Sequence, residues 1–397
     1  MAIRLAERVR RITPSSTLAM DARAKQMQRE GQDVVFFGIG EPDFDTPEFI
    51  KDEAVAALRA GLTKYAPGAG LMDLREAVCQ YLQREYGLSY GPKNVVICCG
   101  AKHALYNVFQ AILEPGDEVI LPVPYWVSYS EQIKLAGGVV VPVMTTAANG
   151  FRMRPEDFAA AITPRTRAVV INSPNNPTGA VYGRAELAAI AEIAVEREVI
   201  IVSDEIYDHL IYDGLAPTSI PTLGPEVAAR TILINGVSKT YAMTGWRIGY
   251  AAGDEAVIGA IADLQSHSSN ATTFCQKAAI KALLGPQETV EKMRAEFARR
   301  RDLMVALVRE TPGLDCLTPQ GAFYVFVDVG GLIGRVVGGE TVRDDEHLAE
   351  ILLEKAKVAV VPGSGFGMPN YIRLSYATGL ERIEEGFRRI RALLAGG

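Results

Sequence analysis

Short runs of apolar and mostly β-branched residues recur through the first two thirds of the chain. Helical segments, such as 103–113 and 184–197, separate several of them. The runs are 95–97, 119–121, 139–141, 168–171, 199–202 and 231–234. Near-continuous apolar strands that alternate with helices indicate a mostly parallel sheet covered on both faces. This part of the chain therefore predicts an α/β domain.

Other patterns surround this region. Before the first apolar run, residues 71–87 carry a helical stripe of apolar positions that stops at Gly87, which predicts a helix. After about residue 285 the order changes to a long charged helix, a strand, a helix, two strands and a last helix. The first five of these are predicted at 287–310, 322–327, 345–356, 358–361 and 371–376. This region predicts a smaller α+β domain.

Composition and charge narrow the class of protein. A chain of 397 residues, 48% hydrophobic and 22% charged, is too long for one small domain and suits two packed ones. The net charge of −6, from 41 basic and 47 acidic residues, leaves no basic footprint for nucleic acid or anionic lipid. The sequence also has no signal-peptide pattern and no apolar run long enough to span a bilayer. We therefore expect a cytoplasmic protein without nucleic-acid or membrane partners.

The cysteines and histidines predict neither disulfides nor a metal site. Five cysteines, an odd number, form no CxxC pair, and four histidines are scattered along the chain. A disulfide framework needs paired cysteines, and a metal site needs ligands at characteristic spacings. We expect reduced thiols and no bound metal.

Polar residues follow three of the predicted strands. Asn176 lies in the segment after 168–171, Asp204 and Tyr207 follow 199–202, and Ser238 and Lys239 follow 231–234. Ligands of open parallel sheets bind beyond the carboxyl ends of the strands, so these side chains are expected in one pocket. Taken singly, an aspartate here is often a helix cap and a lysine is usually a solvated charge. Their joint placement favours a functional site.

Pyridoxal phosphate matches the chemistry of this set. The amine of Lys239 can form an imine with the cofactor aldehyde if its pKa is kept low. Asp204 can keep the pyridine nitrogen protonated, and Tyr207 and Asn176 can donate hydrogen bonds to the phenolic oxygen. For the phosphate, the predicted strand-to-helix turn Gly100, Ala101 and Lys102 offers backbone amides, Ser238 and Arg247 add side-chain donors, and Trp126 can stack on the ring.

Several segments resemble one known family. Residues 236–249, GVSKTYAMTGWRIG, are similar to the cofactor-lysine signature of class I/II aminotransferases along their whole length. Further blocks resemble the same family in the same order: GEPDFDTP, TKYAP, PYWVSY, SPNNPTG, SDEIY and RLSYAT. The likeness covers nearly the whole chain. It is strongest to the bacterial-type aspartate aminotransferase branch, which includes enzymes that also use prephenate.

The resemblance implies a fold and an assembly. It implies a fold type I pyridoxal-phosphate transferase, with a mostly parallel seven-stranded sheet between helices in a large domain at 46–285. A smaller α+β domain would combine 286–397 with the N-terminal segment 1–45. The family also implies a homodimer with shared active sites, in which Tyr65 reaches the phosphate held by the partner subunit.

The resemblance further implies a reaction and residue roles. An amino group would pass from L-aspartate or L-glutamate to a 2-oxo acid by a ping-pong mechanism, with Lys239 as the Schiff-base lysine and proton carrier. Arg373, assisted by the Gly40 amide, would bind the substrate α-carboxylate. Besides Trp126 and Asn176, the substrate contacts would include Lys102 at the distal carboxylate, helped by Ser15 and Thr17.

Other functions remain open from the sequence. Prephenate also carries a second carboxylate, so the same contacts admit it, whereas Lys102 can also be an ordinary exposed lysine at a helix start. A lyase on the same fold would share Lys239 and Asp204. A regulator that binds the cofactor without turnover would need a DNA-reading module, for which the chain leaves too little room before residue 40. Separately, the mixed charges around 299–301 predict that these three arginines lie on a solvated helix face.

Overall fold

The computed structural model describes residues 3–13 and 16–396, apart from the side chains of 16–19 and 21. The α-helices are α1 Glu7–Arg10, α2 Ser16–Arg29, α3 Glu48–Arg59, α4 Met72–Tyr86, α5 Ala101–Ile112, α6 Ser128–Leu135, α7 Pro155–Ala161, α8 Arg184–Glu196, α9 Pro225–Arg230, α10 Glu255–Ser266, α11 Thr273–Leu284, α12 Glu288–Arg309, α13 Asp345–Ile351 and α14 Leu380–Ala395. The strands are β1 Val35–Phe36, β2 Val95–Cys98, β3 Glu118–Val123, β4 Val139–Met144, β5 Thr166–Asn172, β6 Ile200–Asp204, β7 Thr231–Gly236, β8 Gly249–Ala252, β9 Asp315–Cys316, β10 Tyr324–Asp328, β11 Val336–Val337, β12 Glu340–Thr341, β13 Val358–Ala359, β14 Val361–Pro362 and β15 Tyr371–Ser375.

A seven-stranded sheet forms the centre of the molecule. Its strand order is β2, β8, β7, β6, β5, β3, β4, and every pairing is parallel except the two that β8 makes. All six predicted apolar runs contribute strands to this sheet, which confirms the α/β prediction. The sequence pattern did not indicate β8, because Gly-Tyr-Ala-Ala has neither β-branched residues nor alternating polarity.

Alternate side chains of the sheet enter cores on opposite faces, as a covered sheet requires. Val202 and Ile232 pack with residues of α5 and α10 on one face. On the other face, Ile201 packs with residues of α8, and Leu233 packs with residues of α4 and α11. The central strands are therefore buried between two helical layers.

The C-terminal region forms a second, antiparallel sheet in the order β14, β15, β10, β9. A separate parallel pair joins β1 to β13, with Val35 opposite Val358, so the N-terminal segment packs against this region. The helix predicted at 345–356 begins as α13 and ends as a π-helical turn at Leu352–Ala356. The other predicted elements after 285 are found in the predicted order, but the strand predicted at 358–361 is divided into β13 and β14, and the short strands β9, β11 and β12 were not predicted.

The prediction of a solvated face for 299–301 is wrong for two of the three arginines. The side chain of Arg299 is 68% exposed, but those of Arg300 and Arg301 are 8% and 4% exposed. Arg300 pairs with Asp43 at 2.7 Å, and Arg301 pairs with Asp213 at 2.7 Å. Both partners are distant in sequence, so the local charge pattern could not reveal that α12 turns these residues inward.

Across residues 3–13 and 16–396, we find no helix with the length and apolar character needed to cross a membrane.

Candidate active site

The loops that leave β5, β6 and β7 open into one cavity of about 490 Å³. They bring together the side chains predicted from the three strand ends. Of the predicted site residues, the cavity is lined by Gly40, Ala101, Lys102, Trp126, Asn176, Asp204, Tyr207, Ser238, Lys239, Arg247 and Arg373. Parallel strands place their carboxyl ends at one edge of a sheet, which is why the residues after β5, β6 and β7 converge. Gly40 comes from the N-terminal segment, and Arg373 comes from β15 of the antiparallel sheet.

Lys239 lies on the floor of this cavity. Its amine donates a hydrogen bond to the carbonyl oxygen of Gly40. Burial lowers the pKa of Lys239 from 10.5 to about 8; the carboxylate of Glu41 opposes this shift, while Arg373 and Arg247 add to it. An amine with such a pKa is partly neutral near physiological pH, as a nucleophile or proton acceptor needs to be.

Asp204, at the end of β6, presents a carboxylate that is almost fully buried. Burial raises its pKa from 3.8 to about 6, and hydrogen bonds from the Tyr129 hydroxyl and the Ile206 amide limit that rise. The Tyr129 hydroxyl lies 2.6 Å from Oδ2, and the Ile206 nitrogen lies 3.2 Å from Oδ1. A carboxylate buried to this extent is suited to form an ion pair with a cationic group of a ligand.

Arg373 also lines the cavity and is almost fully buried. Its Nη1 donates to Oδ1 of Asn176 at 2.9 Å, and its Nη2 donates to the carbonyl oxygen of Gly38 at 2.8 Å. Its Nε is buried and has no hydrogen-bond partner among the described residues. The guanidinium also lies 4.3 Å from the ring centroid of Tyr324, whose hydroxyl is 2.9 Å from that of Tyr207. Within the described part of the chain no carboxylate bonds to this buried cation, which indicates that an anionic ligand belongs here.

The turn into α5 has the features of an anion site. Gly100 precedes the helix with φ of 84°, and no side chain caps the helix there. A Cβ atom at Gly100 would lie 2.2 Å from Nη2 of Arg247, so only glycine lets this guanidinium approach. Arg247 is itself fixed by bonds to the carbonyl oxygens of Thr244 and Cys99 at 2.9 and 3.0 Å. Together, the start of a helix without a side-chain cap and a fixed cation suit a phosphate.

Lys102 lies at the rim of the cavity. Its side chain is exposed, but its Nζ is 4.8 Å from the ring centroid of Trp126. Partial burial, and to a smaller degree the charge of Arg247, lowers the pKa of Lys102. Lys102 therefore adds a cation at the rim, besides those of Lys25, Arg247 and Arg373 in the lining.

The sequence analysis missed several residues of the cavity lining, among them Glu41, Tyr129 and Tyr324. Glu41 accepts a 2.7 Å hydrogen bond from the hydroxyl of Thr244, which ties the N-terminal segment to the loop of Lys239. Tyr129 and Glu41 lie in blocks that carry the family resemblance, so their position there was an available signal. Tyr324 had none, because it lies within an ordinary apolar strand.

The structure does not bring every predicted residue to this cavity. Tyr65 is 99% exposed and lies outside the lining, so its contact with a partner subunit stays a prediction. Ser15 is outside the described residues, and so is the side chain of Thr17. Among the residues described, no group of three or more histidine, cysteine or acidic side chains is arranged to hold a metal ion.

This fold and this site agree with a single family of proteins. The family model described as aminotransferase class I and II matches residues 32–390. The chain belongs to that family, which confirms the resemblance carried by the sequence blocks.

Particular relatives are also similar over their whole length. An aspartate aminotransferase of Geobacillus stearothermophilus is 51% identical, with 99% of both chains covered. An aspartate/prephenate aminotransferase of Cereibacter sphaeroides is 47% identical, again with 99% of both covered. Among solved structures, an aspartate aminotransferase from Thermus thermophilus with maleate superposes with a TM-score of 0.93 at 46% identity, covering 99% of this chain and all of the other.

Proposed function

We propose that this protein is a pyridoxal-phosphate-dependent aminotransferase whose amino donor is a dicarboxylic amino acid, L-aspartate or L-glutamate, and whose acceptor is 2-oxoglutarate or oxaloacetate. One observation carries the proposal. One cavity is lined by the partly neutral amine of Lys239, the buried carboxylate of Asp204 and the buried guanidinium of Arg373, to which no carboxylate is bonded among the described residues. A class I/II aminotransferase requires these three groups for cofactor attachment, ring activation and substrate binding.

The residues fit the cofactor. Enzymes of this family work with pyridoxal phosphate, which, when bound, supplies a protonated ring that accepts the electron pair released at the substrate α-carbon. Arg247, Ser238 and the Gly100 to Lys102 turn would hold its phosphate. Asp204 would face its ring nitrogen. The space that glycine leaves at position 100 supports this assignment, because a side chain there would displace Arg247.

The other contacts would orient the ring. Tyr207 and Asn176 would donate to its phenolic oxygen, and Trp126 would cover one face. Lys239 would bond covalently to the cofactor in the resting enzyme. Once released by substrate, its amine would remove the α-proton and later return a proton, which its lowered pKa supports.

Substrate selection would rest on two separate cations. Arg373 would bind the α-carboxylate, using donors that are now directed at Asn176 and Gly38 together with its unpartnered Nε, and the amide of Gly40 would assist. Lys102 at the rim would bind the distal carboxylate, which neutral amino acids lack. Thr17 and Ser15 would contribute hydroxyls. The names of the aspartate aminotransferases that resemble this chain, and the dicarboxylate maleate in one of their structures, support this choice.

Prephenate is the second candidate substrate. Relatives named for both aspartate and prephenate share 47% to 49% of their residues with this chain over nearly the full length. Prephenate carries two carboxylates, so Arg373 and Lys102 would bind it through the same pair of charges. The cavity of about 490 Å³ has room for a ligand larger than aspartate.

We also propose the assembly and the domain division. The full exposure of the Tyr65 ring, unusual for a large aromatic side chain, supports a homodimer in which Tyr65 reaches the partner's phosphate site. The separation of the seven-stranded sheet from the four-stranded sheet and from the β1–β13 pair supports a large domain at 46–285 and a small domain formed by 1–45 with 286–397.

The deciding experiment is a spectroscopic titration of the purified, cofactor-loaded protein. L-aspartate should convert the visible absorption band to the amine form of the cofactor, and 2-oxoglutarate should restore the band. Lys239→Ala should lack the lysine-dependent band. A band that depends on Lys239 but does not respond to aspartate, glutamate or prephenate would contradict the substrate assignment and leave the cofactor assignment standing.

A variant at the rim separates the two cations. Lys102→Gln should lower kcat/KM for L-aspartate roughly 10- to 100-fold, the loss expected for a charged hydrogen bond. The activity with L-alanine, which has no distal carboxylate, should stay within about twofold. An equal loss with both substrates would assign Lys102 to the cofactor alone.

A further inference from the structure

Asp208 is a buried carboxylate outside the cavity, and the proposed mechanism does not use it. Its Oδ2 accepts three hydrogen bonds, from Tyr81 at 2.8 Å, Tyr86 at 2.7 Å and the Nδ2 of Asn235 at 2.8 Å. Its Oδ1 accepts the amide of His209 at 2.9 Å and the hydroxyl of Thr240 at 3.4 Å. So many donors on one enclosed carboxylate indicate a residue that fixes its surroundings.

These bonds connect the two loops that carry the proposed chemistry. Asp208 directly follows Tyr207 in the loop after β6. Thr240 directly follows Lys239 in the loop after β7, and Asn235 is the next-to-last residue of β7. The last backbone hydrogen bond between β6 with its loop and β7 with its loop runs from the Glu205 amide to the carbonyl oxygen of Ile234, at 2.9 Å. Beyond that point, among the residues described, the hydrogen bonds between these two loops are those that Asp208 makes.

The same carboxylate also ties both loops to α4. Tyr81 and Tyr86 are α4 residues, and burial, reinforced by the charge of Asp208, raises the pKa of both far above its usual range, so both remain hydrogen donors. The titratable groups around Asp208 are Tyr81, Tyr86, Glu205, His209, Tyr241 and Tyr250. Each of the four tyrosines has a raised pKa, and burial raises that of Glu205 to about 8. None of these groups is an arginine or a lysine. The carboxylate of Asp208 is therefore held in place by hydrogen bonds from neutral donors such as Tyr81, Tyr86 and Asn235.

We propose that Asp208 is a positioning residue that sets the placement of the Tyr207 hydroxyl relative to the Lys239 amine. This inference rests on the proposed function, because the geometry matters when both groups address one ligand. The phenol of Tyr207 would donate to the oxygen beside the bond to Lys239. Its hydroxyl also contacts that of Tyr324 at 2.9 Å, but Tyr324 is not part of the Lys239 loop, so Asp208 makes the link between the two loops. A donor displaced by a fraction of an ångström loses much of its hydrogen-bond strength.

The test compares bonds to the same carboxylate. In Asp208→Asn, an amide NH2 group takes the place of a carboxylate oxygen, so the three donors that meet at Oδ2 lose their common acceptor. Asn235→Ala removes one of the two hydrogen bonds between the loops without altering Asp208. Tyr86→Phe is the matched control, since it removes a bond of similar length to the same oxygen from the helix side. The readouts are the pH at which the visible band of the resting enzyme changes, and the melting temperature of the cofactor-free protein.

We expect Asp208→Asn and Asn235→Ala to raise the pH of the spectral transition by about half to one pH unit. The weaker donation from Tyr207 leaves the anionic oxygen more basic, so the adjacent proton is held more tightly. Tyr86→Phe should lower the melting temperature but leave the transition within about 0.2 pH units. If Asp208→Asn does not fold, Asn235→Ala carries the comparison.

An equal spectral shift in Tyr86→Phe, or no shift in either loop variant, would overturn the proposal and leave Asp208 a purely structural residue. Failure of the proposed function is distinguishable, because in that case the unaltered protein would show no band that depends on Lys239.

Discussion

The hydroxyl of Tyr129 donates a hydrogen bond of 2.6 Å to Oδ2 of Asp204. Both side chains are almost fully buried, and the Tyr129 ring makes an edge contact with Trp126 at 5.4 Å between centroids. One oxygen of the carboxylate is therefore occupied by a neutral donor that favours the charged form. Among the residues that the structure describes, the other oxygen accepts a single, long bond of 3.2 Å from the Ile206 amide, so it remains available to a ligand.

We expect Tyr129→Phe to weaken the active site while leaving the fold intact. Loss of the donor raises the pKa of Asp204, so the carboxylate is a weaker partner for a ring nitrogen. Because a hydrogen bond to a charged group contributes about 1.5 to 3 kcal/mol, kcat/KM should fall roughly 10-fold or more. Steady-state kinetics with L-aspartate across pH 6 to 9 would measure this effect, and unchanged kinetics would show that Tyr129 only fills space.

Asp204→Asn should stabilise the cofactor-free protein while abolishing its activity. The folded-state pKa of Asp204, about 6, lies above its ordinary value of 3.8, so burial of the charged form opposes folding. The contribution of Asp204 to stability is full below pH 3.8 and is lost as the pH rises through 6. An asparagine cannot ionise and avoids this loss.

The measurement is urea unfolding of both cofactor-free proteins between pH 4 and 7.5. The difference in unfolding free energy should grow in favour of Asp204→Asn with increasing pH, reaching about 1 to 3 kcal/mol above pH 6. A difference that is constant with pH would show that ionisation of Asp204 is not its source.

Gly100→Ala should impair cofactor binding more than folding. At φ of 84° any side chain is strained, and the new Cβ would lie 2.2 Å from Nη2 of Arg247. Gly116→Ala is the matched control, because Gly116 has φ of 96° and a Cβ added there would have no atom within 4 Å. Both variants should lose about 1 kcal/mol of stability from backbone strain.

Only Gly100→Ala should lose affinity for pyridoxal phosphate, by roughly 10-fold, since the new side chain displaces Arg247, the charged donor proposed for the phosphate. Equilibrium dialysis of pyridoxal phosphate against the two variants, after removal of bound cofactor, would measure the difference. Equal dissociation constants would refute the assignment of Arg247 and this turn to the phosphate.

Within the arginine run of α12, the effects on stability should differ sharply. Arg301 donates from Nη1 and Nη2 to Asp213 at 2.7 and 2.8 Å, and its guanidinium lies 4.9 Å from the ring centroid of Tyr212. Arg301→Ala should cost about 2 to 3 kcal/mol. Arg299→Ala, at an exposed position, should cost less than about 0.5 kcal/mol. Urea unfolding at pH 7 measures both, and similar values would show that the pairing contributes little.

Local patterns predicted most of the fold. The strands of the central sheet were visible because a strand buried on both faces must be apolar throughout, and α4 ends at the predicted Gly87, which has φ of 71°. The exceptions are equally physical. The strand β8 lacks a pattern because close packing selects its small residues: a Cβ at Gly249 would lie 2.3 Å from the backbone nitrogen of Ala101.

The site was predicted as a set of residue types, and its arrangement was not. Lys239, Asp204 and Arg373 were identifiable from strand ends and from family blocks, because their chemistry requires those residue types. Nothing local to Tyr129 indicated that its hydroxyl would meet Asp204, 75 positions away. Long-range hydrogen bonds depend on how helices pack on the sheet, so they leave no short-range trace.

By itself the sequence determined the alternation of strands and helices, the family and the identity of the main reactive groups of the cavity, those of Lys239, Asp204 and Arg373, since each depends on local pattern or on residue type. The tertiary structure alone decided which of these groups meet and how deeply each is buried. Burial moves the pKa of Lys239 to about 8 and that of Asp204 to about 6. It also turns Arg300 and Arg301 into the interior, because desolvation and pairing depend on neighbours that only the folded chain assembles.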